Sequence, residues 1–181
     1  IPQDVQTALY YGLFTDTNSL AEIGHPSDKD MLESLAPDLS LINRMKNANI
    51  TLADMETAGL ALLRTSHNAV FNYSVTAVKP CDPNILGFVS DLAIQVDAVS
   101  SCVVFNIINQ GIKFSVRSCV QDVMANEMAA FIAADVGSGG GHVSKAGGFI
   151  AESALRLQEP TLSAEAFLLK RVHQYFTDFD I

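Results

Sequence analysis

The chain has 181 residues, 49% hydrophobic and 17% charged, and its 11 basic and 20 acidic side chains leave a formal net charge of -9. So large an apolar share excludes a disordered chain, and the length suits one domain of roughly 100 to 200 residues with part of a second. The acidic balance argues against sequence-blind binding to long nucleic acid, which needs Lys and Arg to replace counterions along the phosphate chain; any polyanion must be met locally.

Asp4 to Phe14 reads as a short helix, with Val5, Leu9 and Leu13 on one stripe, ending in the polar turn Thr15-Asp16-Thr17-Asn18-Ser19. Ser27-Asp28-Lys29-Asp30 offers a capped start for a second helix, with Met31, Leu32 and Leu35 as its buried side and Pro37 beyond its end. Ser40 to Asn47 predicts a third helix, and Thr51 begins a connecting helix to about Ser66 whose stripe is Leu52, Met55, Gly59, Leu62 and Leu63. From Ala69 the pattern becomes β-rich, with alternation at Phe71, Tyr73 and Val75, and a new domain is expected there. Asp82-Pro83 caps a helix with Ile85, Leu86, Val89 and Leu92 on its inner face. Val99 to Ile108 and Ile112 to Ser118 form a predicted hairpin around Asn109-Gln110-Gly111. Met124 to Ala134 reads as a helix, Gly137-Ser138-Gly139-Gly140-Gly141-His142 as a glycine loop, Gly147 to Ile150 as a strand entry, and Ser163 as the cap of a last helix with Phe167, Leu168, Val172 and Tyr175 on one face. Strands and helices alternate after residue 68, which predicts an α/β domain with a mixed sheet.

Polar residues such as Asn126, Glu127 and Asp135 interrupt every run that approaches a membrane span. Three cysteines, Cys81, Cys102 and Cys119, without a Cys-x-x-Cys spacing point to reduced, mostly buried thiols in a cytoplasmic protein. The opening Ile1-Pro2-Gln3-Asp4 carries neither an initiator Met nor a signal-type run, so a start partway through a longer protein is expected.

Three consecutive glycines remove Cβ atoms where backbone can wrap a ligand, and a helical turn after them would aim free N–H groups at an anion, with His142 and Lys145 as added donors. A purely structural turn accounts for the same composition equally well. Neither a Gly-x-x-x-x-Gly-Lys phosphate loop nor a complete dinucleotide fingerprint is present. Strand alternation puts Lys113, Ser115 and Arg117 on one face, where Arg117 suits either a bidentate phosphate contact or a surface ion pair. Asp16 is a polar-turn aspartate that needs partners before it can hold a metal, and the four histidines stand singly, without zinc-like spacing.

Gly139-Gly140-Gly141-His142 followed by Ala146-Gly147 resembles the Gly-Gly-Gly-His-x-x-Ala-Ala-Gly signature of the domain associated with DHH phosphoesterases, the superfamily of RecJ-type exonucleases and nanoRNase/pAp phosphatases. Gly12-Leu13-Phe14-Thr15-Asp16-Thr17-Asn18 is similar to the Gly-Ile-x-Thr-Asp-Thr-Gly stretch that ends the catalytic domain, and Phe114-Ser115-Val116-Arg117-Ser118 to the strand whose arginine holds substrate phosphate. The order of these segments covers nearly the whole chain. Two residues depart from the pattern: Asn18 replaces a glycine, and Lys145 stands where a small or apolar residue is usual.

The resemblance implies residues 1–50 as the end of the DHH catalytic domain, 51–68 as a connecting helix and 69–181 as the DHH-associated, substrate-binding domain. It implies Asp16 as one manganese ligand, and Arg117, Ser118, Gly139, Gly140, Gly141 and His142 as the binding site for a short oligonucleotide or phosphorylated nucleotide. The superfamily's earlier aspartate motifs and its Asp-His-His triplet are absent from this sequence. The chain is therefore expected to be the nucleotide-binding C-terminal portion of a Mn2+-dependent phosphoesterase, inactive without its N-terminal DHH domain. The alternative is a non-catalytic nucleotide-binding or regulatory module using the same glycine segment. A third reading is a homodimerisation domain built on the apolar helices at 124–134 and 163–175.

Overall fold

A computed structural model describes residues 1–17 and 19–178; Asn18, which departs from the signature, lies outside the described residues. The chain divides into two compact units, residues 1–51 and 52–181.

The first unit is helical: α1 (Gln3–Asp16), α2 (Pro26–Ser34) and α3 (Leu39–Lys46). Helix α1 runs through Thr15 and Asp16 rather than stopping at Phe14. The polar residues there do not break it because their hydroxyls return to its own carbonyls: Thr15 Oγ1 donates to Gly12 O at 2.9 Å and Thr17 Oγ1 to Leu13 O at 2.7 Å. Of the expected stripe, only Leu13 is buried; Val5 and Leu9 are exposed. The other buried residue of α1 is Thr7, whose Oγ1 accepts the Asp38 N–H at 2.9 Å. Asp38 in turn caps α3, its Oδ1 accepting from the N–H groups of Ser40 and Leu41. Helix α2 is capped by His25, two residues ahead of the expected Ser27, and buries no residue fully.

The second unit contains α4 (Leu52–Leu62), β1 (Ser66–Asn68), β2 (Tyr73–Val78), α5 (Pro83–Ala93), β3 (Ser101–Ile108), β4 (Gly111–Ser118), α6 (Ala125–Ala133), β5 (Gly137–Gly141), β6 (Lys145–Ala151), α7 (Glu152–Gln158) and α8 (Ala164–Asp178). Among the described residues the sheet has six strands in the order β1-β2-β3-β4-β6-β5; β2 and β3 are parallel across the α5 connection, and the other neighbours are antiparallel. This is the expected α/β fold with a mixed sheet flanked by helices.

Helices cover both faces of the sheet's centre. Val103, Phe105, Ile112, Phe114 and Val116 pack with Met128 and Ile132 of α6 and Leu168 and Val172 of α8. Val78 and Val104 pack on the other side with Ile85, Leu86 and Val89 of α5 and with α4. Strand β3 is buried at every position from Ser101 to Asn106, as a strand covered twice must be. The apolar faces of α6 and α8, which a dimer contact would need, are used in this core. The expected face of α4 is corrected: Leu52 and Leu63 are each 86% exposed, and Ala58 and Ala61 are buried instead. Small residues let the α4 backbone approach α5 and β2, which a count of bulky side chains does not reveal. The β-rich run also starts later than expected, because Asn68 Oδ1 accepts the N–H groups of Val70 (3.0 Å) and Phe71 (3.1 Å) and turns the chain before Tyr73.

Cys81, Cys102 and Cys119 are free thiols; only Cys102 is fully buried, and Cys119 is exposed. Burial pushes the Cys102 thiol up to about 12, against the opposing pull of the Arg117 guanidinium. The folded chain thus keeps a proton that an unfolded thiol, with its usual value near 9, would lose. Its contribution to stability is complete below that lower value and falls as pH rises toward the upper one. Urea unfolding at about pH 8 and about pH 10 is expected to show a smaller loss of stability in Cys102→Ala than in the parent chain; equal losses would exclude this thiol as a source of the alkaline slope.

Candidate functional site

The glycine segment is a strand, not a loop. Gly137–Gly141 forms β5, the sheet's edge strand, paired along its length with β6. No helical turn follows it: the His142 N–H donates to Lys145 O at 2.7 Å and closes a hairpin into β6, and the next helix begins only at Glu152. The expected cluster of free N–H groups at a helix start is therefore absent at this position. A glycine-rich strand marks a close approach of another backbone, and here that backbone is α6. A Cβ added at Gly139 would lie 2.2 Å from Ala129 O.

Register divides the expected site residues between two faces. Arg117 pairs with Lys145, Ser115 with Gly147, and Lys113 with Phe149 across β4 and β6; Gly140 and Ser138 continue two of these rows on β5. Directly paired residues point the same way, so Lys113, Ser115, Arg117, Lys145, Gly147, Phe149 and Gly140 share one face. Gly139 and Gly141 belong to the opposite, α6-facing rows with Gly148 and Ala146. Ser118 also lies off the Arg117 face, and its Oγ is bonded within a local turn to the N–H and the carbonyl of Val120. His142 is exposed at the hairpin, one residue beyond β5.

On the shared face, Pro83, Leu86 and Gly87 of α5 form one wall of a groove of about 390 Å³, and Lys113, Ser115, Arg117, Gly147 and Phe149 form its floor. Two of the chain's 11 basic residues, Lys113 and Arg117, stand here on a strongly acidic protein. Arg117 is held before any ligand arrives: its Nε donates to Asp91 Oδ1 at 2.7 Å, and its NH1 donates to Ser115 Oγ at 2.8 Å and Val116 O at 3.1 Å. No bond of NH2 is found among the described residues, which leaves its two N–H groups for an acceptor in the groove. Gly140 stands on the same face and a Cβ there would meet nothing within 4 Å. Packing within this chain gives no reason for a glycine at that position.

Sequence reasoning put Lys113 on the Arg117 face without giving it a role, and missed Gly147 and Phe149 as groove residues. Their signal was the same alternation that marked Arg117, carried across to the neighbouring strand. Asp16 ends α1 as an exposed carboxylate, and among the described residues no group of three or more His, Cys, Asp or Glu stands together as a metal ion would require. A lone carboxylate does not fit a manganese centre.

No protein-family model matches the sequence, and no curated protein is significantly similar to it. Solved structures do match in fold. An exopolyphosphatase-related protein from Bacteroides fragilis is 16% identical, with a TM-score of 0.72 over 100% of this chain and 53% of its own. RecJ from Thermus thermophilus, solved in complex with Mn2+, is 17% identical, with a TM-score of 0.50 over 94% of this chain and 24% of its own. The chain thus spans about half of the first protein and about a quarter of the second. Among the described residues no helix is long and apolar enough to cross a membrane. The chain has the expected α/β fold with a mixed sheet, and it shares that fold with these two proteins.

Proposed function

We propose that the open face of β4, β6 and β5 binds a phosphorylated nucleotide or the end of a short oligonucleotide. On this reading the chain is the substrate-binding portion of a manganese-dependent phosphoesterase, whose metal ligands other than Asp16 are supplied by the part of the DHH domain outside these residues. Residues 1–50 are then the end of that catalytic domain, and the unit from Leu52 onward, in which α4 replaces the longer helix expected at 51–68, is the part that binds substrate. The observation that supports this most is the pairing of two features on one face: the uncommitted NH2 of Arg117 and the open space above Gly140.

The chemistry assigned to this chain is binding and orientation. The fixed guanidinium offers two N–H groups to phosphate oxygens without first losing side-chain freedom. Lys113 adds positive charge in the groove, Lys145 lies on the same face, and His142 adds a donor at the β5–β6 hairpin. The glycine floor lets a phosphate or sugar approach the strand backbone. Gly139 serves the same site from behind, by seating β5 on α6.

Calorimetric titration of the full chain with adenosine 5′-monophosphate tests this reading. His142→Ala is expected to weaken binding about fivefold, the loss of one hydrogen bond of about 1 kcal/mol. Unchanged affinity would remove the histidine from the site.

A further inference from the structure

Every described aromatic residue of the second unit except one belongs to a hydrophobic cluster or packs against one. Phe105, Phe114, Phe167, Tyr73, Tyr175 and Phe176 are core, and Phe71, Phe88 and Phe131 pack on it. The exception is Phe149. It is half-buried, lines the groove, belongs to no cluster and makes no ring contact with a described residue. An apolar ring of this size contributes most when it is covered, and this one is left beside a cationic groove.

Its position relative to the arginine is set by register. Phe149 pairs with Lys113, and Ser115 is the next position of β4 on the same face. Two residues along a strand span about 7 Å. The Arg117 guanidinium folds back to Ser115 Oγ, 2.8 Å away, so its anion-binding end sits one row from the phenylalanine rather than two. Between them the floor is Gly147, without a side chain. Leu86 and Pro83 of α5 line the same groove.

We infer that Phe149 is the specificity-determining residue of this groove: its ring stacks on the base of a nucleotide whose phosphate is held by Arg117, with the ribose lying over Gly147. The inference rests on the nucleotide reading of the site and makes it narrower. The ligand carries a planar base next to its phosphate, so a bare sugar phosphate or an inorganic polyphosphate is a poor match. Stacking of a base on an aromatic ring is sequence-tolerant, so purines and pyrimidines are both accepted, and Lys113 beside the ring favours a ligand with a second phosphate.

The test compares adenosine 5′-monophosphate with ribose 5-phosphate and tripolyphosphate by calorimetry on the full chain. The parent chain is expected to bind the nucleotide about five- to a hundredfold more tightly than ribose 5-phosphate. Phe149→Leu, which keeps the apolar bulk, and Phe149→Ala are both expected to abolish that preference while leaving ribose 5-phosphate affinity unchanged; Phe149→Tyr retains it. Equal binding of the two ligands by the parent chain, tighter binding of tripolyphosphate, or a preference that survives in both Leu and Ala variants overturns the role of Phe149 while leaving an anion site in place. Failure of every ligand to bind, or ribose 5-phosphate binding that is indifferent to Arg117→Ala, overturns the nucleotide reading itself.

Discussion

Gly139→Ala is expected to lower stability by about 1–3 kcal/mol, the usual cost of forcing extra volume into a packed contact. Gly140→Ala, its immediate neighbour, is expected to change stability by less than about 0.5 kcal/mol. Alanine ordinarily stabilises a strand relative to glycine, because it has less chain entropy to lose, so the sign at Gly139 is decided by its surroundings. The added methyl would sit 2.2 Å from Ala129 O and 2.6 Å from Ala129 C, both backbone atoms of α6 that cannot rotate aside. Either β5 leaves its pairing with β6 or the helix shifts under Met128 and Ile132, which are fully buried. At Gly140 the methyl would enter open space. Its effect belongs to binding instead, and a methyl on the face that carries Arg117 is expected to weaken nucleotide affinity about tenfold, or roughly 1.4 kcal/mol. Urea unfolding and calorimetry of the two variants separate these effects. A Gly139→Ala chain as stable as its parent would refute the close seating of β5 on α6.

Arg117→Ala is expected to reduce affinity for a phosphorylated nucleotide about 10- to 100-fold, the loss of charge-assisted hydrogen bonds worth about 1.5–3 kcal/mol. The folded state should tolerate the change, because Asp91, the partner left behind, has a side chain 51% exposed and stays hydrated. The arginine side chain itself is only 13% exposed. Its orientation is therefore built in by Asp91 and Ser115 rather than chosen on binding, which is the physical basis for so large a contribution from one residue. Arg117→Lys is expected to recover little, since an ammonium cannot bond Asp91 and Ser115 while presenting two coplanar N–H groups to a phosphate. Affinity that survives in both variants would move the anion site elsewhere on the molecule.

Where one physical cause dominated, the fold was legible in the sequence. Asp82-Pro83 predicts the start of α5 because a side-chain cap and a fixed φ act locally, and Asp82 does accept the Asn84 N–H at 2.8 Å. Alternation in Lys113-Phe114-Ser115-Val116-Arg117 predicts which side chains share a face, and β4 keeps that division. The last helix follows its stripe: Phe167, Leu168, Val172 and Tyr175 are all buried. Helix α7 went unseen because it is seven residues long and fully buries only Leu155, too short a segment to show a period.

By itself, then, the sequence determined the class of the fold, the strand that carries Arg117 and the local caps, all of which depend on neighbours within a few residues along the chain. Tertiary structure decided what the glycines do and which residues form the groove. Three glycines in a row are compatible with a loop or a strand, and only the placement of Ala129 of α6 against Gly139 selects the strand. Only pairing between β4, β6 and β5 puts Gly147 and Phe149 in one groove with Arg117 and Gly140 on the same face, while turning Gly139, Gly141 and Ser118 away. Strand register is a relation between segments distant in sequence, and a slip of one residue would exchange the two faces.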